Sequence, residues 1–211
     1  MSVPILEIEG LVKRYATGLF QQKETFRLEA DLTFHDSTIV GILGPNGSGK
    51  TTLFELITGS NVPSAGNVRV MGRNIHDVKY AERDRLAIHY HQSYQVRRYR
   101  RTRPSLLMQA AGHDYPIVHL FDEPQFNTQD GYIGFMLDFF RKLRAQGRLV
   151  FVCLHPNEPY HLELMEEVCE RYVFVLAGRI RGFPNFGSML QEPDIRTYLG
   201  KLAPSEAEHL P

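Results

Sequence analysis

Apolar residues recur along the chain at two spacings, and the switches between them predict an order of strands and helices. Ile5 to Ile8 and Phe26 to Phe34 alternate apolar with polar positions, the period of half-buried strands. Lys13 to Gly18, between them, reads as a turn. Thr38 to Leu43, Ile117 to Phe121, Leu149 to Leu154 and Tyr172 to Leu176 are short and almost unbroken by polar residues, as strands covered on both faces are. Leu53, Phe54, Leu56 and Ile57, within Thr52 to Thr58, fall at helical spacing and stop at Gly59. Gly134 to Gln146 is an amphipathic helix ended by Gly147. Tyr80 to Leu86, Ser105 to Ala111 and Leu162 to Arg171 are further helices. Pro63, Gly66 and Gly72 bracket Asn67 to Met71 as a short antiparallel strand. Ala87 to Tyr90 is a short strand, and Gly178 to Ile180 turns into a last one. Strands alternating with helices predict an α/β fold with a parallel sheet and right-handed crossovers. The polar tail from Ala203 reads as frayed.

Composition narrows the picture only slightly. At 211 residues the chain is one domain, or one domain with a subdomain, with room for a proper core. Lys plus Arg and Asp plus Glu are both 24, so no net charge favours nucleic acid or an anionic surface. Arg97, Arg98, Arg100, Arg101 and Arg103 nevertheless crowd into one short run. Cys153 lies in an apolar strand and Cys169 in a helix-like stretch, so both read as packing residues of a chain from a reducing compartment. Early acidic residues and the lack of a long apolar stretch predict neither a secretory leader nor a membrane span.

One stretch carries chemistry of its own. Gly44, Pro45, Asn46, Gly47, Ser48, Gly49, Lys50, Thr51 and Thr52 lie between a buried strand and a helix start. Glycines let successive backbone amides turn inward, and the helix N-terminus adds positive potential, so the stretch predicts a phosphate-binding loop. Lys50 would reach the β- and γ-phosphates, and the Thr51 hydroxyl would ligate Mg²⁺. Asp122 and Glu123 end a buried strand, which places them at the carboxyl edge where ligands of such sheets bind. One carboxylate suits Mg²⁺ and its neighbour suits an attacking water. His155 ends another strand, where it could contact the γ-phosphate or that water. Gln92 could bridge water and Mg²⁺, because an amide both donates and accepts.

In this order the motifs resemble the nucleotide-binding domains of ABC transporters. Their Walker A loop would be Gly44 to Thr52, their glutamine loop Gln92, their Walker B strand with its Glu Ile117 to Glu123, and their histidine loop His155. The Pro63, Gly66, Gly72 spacing is similar to the family's antiparallel β subdomain, and Tyr198-Leu-Gly200 to its C-terminal end. The resemblance implies a P-loop NTPase core sheet of RecA-like type over residues 1–202, with a tail at 203–211. It implies Tyr15 as the aromatic that stacks on adenine, with Phe20 as a substitute. It further implies ATP and Mg²⁺ as cofactors, with Thr51, Gln92 and Asp122 at the metal and Glu123, Gln92 and His155 in catalysis. The expected product is an ATP-hydrolysing subunit at the cytoplasmic face of a membrane, working through a membrane-spanning permease subunit. The alternative is a soluble ABC-type ATPase or nucleotide-dependent regulator acting on a protein or nucleic acid.

The middle of the chain departs from that family. Only 29 residues separate Gln92 from Asp122, and the LSGGQ signature, which closes over phosphate in the opposite subunit, does not occur. The helical subdomain, at 92–116, is therefore expected to be reduced. A signature supplying three charge-assisted hydrogen bonds of roughly 1.5–3 kcal/mol each contributes on the order of 5–9 kcal/mol to closure. A second ABC subunit with its own signature could replace that contribution in a heterodimer. The arginine run could replace it in a homodimer, since an arginine finger is worth about 10³–10⁵ in rate. Or the chain binds ATP and turns it over slowly. Nucleic acid is not the expected partner, because no base-reading motif accompanies the arginines.

Overall fold

A computed structural model describes residues 3–17, 23–91, 116–124 and 132–203. Among the described residues ten strands form one sheet, in the order β5-β4-β1-β2-β10-β9-β3-β8-β7-β6. Its parallel part is β9 (Arg171–Leu176), β3 (Ile39–Leu43), β8 (Leu149–Cys153), β7 (Val118–Asp122) and β6 (Ala87–His91). Its antiparallel part is β1 (Leu6–Thr17), β2 (Lys23–Phe34), β4 (Ala65–Val70) and β5 (Arg73–Asn74). β10 (Arg179–Phe183) joins the two, antiparallel to β9 and parallel to β2.

The apolar runs of β3, β7 and β8 are buried at every position because helices cover both faces. Alternate residues serve opposite layers. Val40, Ile42, Leu120, Phe151 and Cys153 pack with Leu53, Phe54, Leu56 and Ile57 of α1 (Lys50–Ile57) and with the inner face of β1, β2 and β4. Each such fully buried side chain stabilises the fold by about 1.5–3 kcal/mol. Ile39, Leu43, Phe121, Val150 and Val152 face the other layer, which holds α3 (Tyr132–Ala145), α4 (Pro159–Val168), α5 (Phe186–Leu190) and α6 (Pro193–Leu199). α2 (Tyr80–Leu86) precedes β6.

Several elements differ from their sequence-based expectation. Lys13 to Thr17 is not a turn, because β1 continues to Thr17 along β2. Two register shifts, between Ile8 and Leu11 and between Tyr15 and Ala16, break the alternation that would have signalled a strand. Asp31 holds the first irregularity, its carboxylate accepting from the Gly10 amide at 2.6 Å. The helix expected over Leu162 to Arg171 runs from Pro159 to Val168 instead, with Pro at its first turn and β9 starting at Arg171. The amide of Glu158 donates to His161 Nδ1 at 3.3 Å, which closes the start of that helix. The helices α5 and α6 were not anticipated. Ser105 to Ala111 lies outside the described residues.

Candidate functional site

The phosphate loop leaves the end of β3 and enters α1 at Lys50. Gly44 takes φ 147°, and a Cβ there would lie 2.1 Å from the Val175 carbonyl oxygen, so β9 passes too close for any side chain. The first turn of α1 has no acidic residue and its N-cap, Gly49, makes no side-chain cap. The amides of that turn are therefore left for a ligand. Lys50 is buried, its ammonium donating to the carbonyls of Gly44 at 2.6 Å and Pro45 at 2.9 Å.

Asp122 shares the sheet face of Leu120, the face α1 covers, so it meets the helix start directly. The Thr51 hydroxyl donates to its carboxylate at 3.0 Å, and His89 Nε2 on β6 lies 3.3 Å from the same oxygen. Burial raises the Asp122 carboxyl, but the bonds from His89, Thr51 and Cys153 outweigh it and hold the group below the usual carboxylate range. The anion is thus the ground form, as a cation ligand must be. Cys153 lies beside it, and burial followed by that negative charge pushes its thiol well up. Glu123 adopts φ 49°, unusual for a non-glycine residue, with its amide donating to the Cys153 carbonyl at 2.9 Å. That left-handed residue follows the last residue of β7.

A cavity of about 290 Å³ gathers these parts, lined by Tyr15, Phe26, Asn46, Gly47, Gly49, Lys50, Thr51, Thr52, Asp122 and Glu123. Tyr15 and Phe26 face each other across β1 and β2, ring centroids 6.2 Å apart. The Tyr15 hydroxyl accepts from Asn61 Nδ2 at 2.7 Å, and the residue is 38% exposed. It thereby presents a face beside the loop. Gly44, Pro45 and Ser48 complete the loop but do not line the cavity. Ser48 Oγ is buried without a hydrogen-bond partner. A concave anion-binding loop, a buried lysine and a hydroxyl–carboxylate pair fit phosphates with a divalent cation.

His155 is exposed at the end of β8 and is not among the cavity-lining residues. It joins the loop through Tyr198 of α6, whose hydroxyl lies 3.4 Å from His155 Nδ1 and 3.0 Å from the Gly44 carbonyl oxygen. Gln92, the arginine run from Arg97 to Arg103 and Phe20 lie outside the described residues. Sequence reasoning missed Phe26, His89 and Tyr198 as neighbours of the site. Only Tyr198 had a signal, in the Tyr-Leu-Gly stretch.

Residues 28–129 match the family model described as ABC transporter. The chain is 42% identical over 72 residues to the ATP-binding protein ChvD of Rhizobium radiobacter, covering 34% of this chain and 23% of that one. It is 37% identical over 75 residues to the high-affinity branched-chain amino acid transport ATP-binding protein BraF of Pseudomonas aeruginosa, covering 36% and 27%. The chain thus matches about a quarter of the length of these curated relatives. Among solved structures, it resembles the dimeric post-hydrolysis state of an ATP-binding cassette bound to ADP and Pi, at a TM-score of 0.64 and 16% identity, covering 86% of this chain and 99% of that one. That likeness establishes the fold, and the span matched by the family model takes in Gly44 to Thr52 and the Asp122–Glu123 strand end. Over residues 28–129 the chain is similar to the ABC transporter family, and its fold is that of the ATP-binding cassettes it resembles.

Proposed function

We propose that this chain binds MgATP in the cavity between Tyr15 and Glu123, hydrolyses it, and thereby drives a membrane-spanning partner subunit. The observation that carries the reading is the Thr51–Asp122 pair at 3.0 Å, set beside the curled loop and followed by Glu123. In this reading the loop amides and Lys50 bind the β- and γ-phosphates, Lys50 leaving its two carbonyl partners to do so. Thr51, Asp122 and Gln92 hold Mg²⁺, which supplies charge neutralisation at the phosphate oxygens. Tyr15 stacks on the adenine, and Phe26 backs it. Glu123 accepts a proton from the attacking water, assisted by His155 and Gln92. Enclosure of the phosphates comes from a second ABC subunit that supplies a signature, or from a second copy of this chain using its arginines.

The relatives support the transport reading through the name of the branched-chain amino acid transport protein. Among the described residues no helix is long and apolar enough to cross a membrane, and the reading places the chain as a peripheral subunit on the cytoplasmic side of a partner that does. The lack of LSGGQ favours a second reading, a soluble ABC-type ATPase or nucleotide-dependent regulator with another protein or a nucleic acid as partner. Purification of the tagged chain from its own cells, followed by ATPase assay of what it carries, separates the two. Recovery with a polytopic membrane protein that stimulates turnover supports the first. Recovery in the soluble fraction with stimulation by another partner supports the second, and absence of ATP binding in every preparation rejects both.

A further inference from the structure

We propose that Tyr198 is a positioning residue for His155, holding its neutral imidazole as the Nδ1–H tautomer. A tyrosine hydroxyl has one proton to give and two lone pairs to offer. Its nearer neighbour, the Gly44 carbonyl oxygen at 3.0 Å, can only accept, so that proton is committed to the loop. Towards His155 Nδ1, at 3.4 Å, the hydroxyl oxygen can then act only as acceptor. Nδ1 must carry the hydrogen. Burial, with the Cys153 thiol nearby, pushes the Tyr198 hydroxyl up to about 12, so it stays protonated at neutral pH.

The helix that delivers this hydroxyl is itself well anchored. Ile195 and Leu199 of α6 are buried, and the Tyr198 ring packs on Phe174 of β9 with centroids 5.5 Å apart. Arg181 of β10 forks onto Glu192 at 2.8 Å and Asp194 at 2.5 Å, fixing the first turn of α6. His155 lacks such packing, being exposed, and takes its orientation from across the fold. The same hydroxyl registers the imidazole against the carbonyl that opens the phosphate loop.

The consequence concerns the other ring nitrogen. While the imidazole is neutral, Nε2 keeps a lone pair and can only accept. An acceptor suits the O–H of a water and cannot donate to a phosphate oxygen. This deepens the ATP-hydrolysis reading, on which it rests, by assigning neutral His155 to the attacking water.

The test begins without nucleotide, using ¹⁵N-imidazole NMR of the full chain at a pH where the ring is neutral. His155→Gln identifies the resonances. We expect a protonated-type Nδ1 and an unprotonated-type Nε2, and a shift towards the Nε2–H form in Tyr198→Phe, which keeps the ring packing. Circular dichroism checks that the variant folds. An Nε2–H form in the unmodified chain, or identical signals in Tyr198→Phe, overturns the proposal. Neither result depends on turnover, so the failure of the ATPase reading would show separately as a chain that binds no ATP. In turnover assays Tyr198→Phe is expected to lower kcat about tenfold with KM within about threefold, and to add nothing in a His155→Gln background. Independent, multiplying effects would mean that Tyr198 acts through Gly44 alone, which also overturns it.

Discussion

The amide of Gly178 donates to the carbonyl of Ser48 at 2.9 Å, tying the β9–β10 hairpin to the middle of the phosphate loop. The Gly178 carbonyl in turn accepts from the Glu29 amide on β2 at 2.8 Å. One residue thus joins the antiparallel strands, the hairpin and the loop. Ala177 at φ 48° and Gly178 at φ 78° form a two-residue turn with both central residues left-handed, as a tight hairpin requires.

Only glycine fits at 178. A Cβ there would lie 1.8 Å from the Arg27 carbonyl oxygen. Gly178→Ala is therefore expected to cost at least about 1–3 kcal/mol and to pull the hairpin off the loop. Chemical denaturation should show the loss, and titration with a fluorescent ATP analogue should show weaker binding. Unchanged affinity in a destabilised variant would mean that the hairpin does not shape the loop.

Asp122 and Thr51 should control the cation more than the nucleotide. Asp122→Asn removes the anion held ready by His89 and Thr51. It is expected to raise the Mg²⁺ concentration needed for half-maximal ATP binding by about tenfold, roughly 1.4 kcal/mol. Thr51→Ser keeps the hydroxyl and should change it little. Calorimetric titration across Mg²⁺ concentrations compares the two, and equal effects would argue against a ligand role for Asp122.

Glu123 occupies a conformation that L-residues rarely adopt, and its proposed role as base is open to a direct comparison. Glu123→Gln should slow hydrolysis by about 10²–10⁴ while ATP binding persists, since the amide keeps the shape and loses the basic oxygen. Filter-binding and phosphate-release assays on one preparation measure both. Full activity in the variant would place the base elsewhere.

His119 supplies an acid-sensitive element remote from the nucleotide. It is 1% exposed on β7, its ring stacked near-parallel with Tyr90 and Phe121. Burial, and then the Arg148 cation, push it down to about 3. The unfolded chain, at the ordinary value near 6.5, takes up the proton first as pH falls. Stability from this group is complete above about pH 6.5 and is lost between there and about pH 3, up to a few kcal/mol in all. Urea midpoints of His119→Phe should fall less steeply with acidification than those of the unmodified chain. Parallel acid limbs would show that His119 charges without cost.

The amino-acid sequence alone determined the phosphate loop, the carboxylate pair at the end of β7 and the doubly covered strands around them. These are local matters: the largely apolar runs of β3, β7 and β8 read as buried, and Gly44 to Thr52 carries its conformation in its own glycines. Tertiary structure decided what no single segment encodes. β1 runs through Lys13 to Thr17 because β2 lies beside it, and its bulges hide the period that would have revealed it. Phe26 and Tyr15 become a pair through antiparallel register, and His89 reaches Asp122 through parallel pairing of β6 with β7. Tyr198 meets Gly44 and His155 from 154 and 43 positions away, because the Arg181 fork and two buried apolar residues set α6 across the strand ends. The strand that feeds the loop was legible from composition and spacing. Its supports were not, because hydrogen bonds between distant segments leave no period in the sequence.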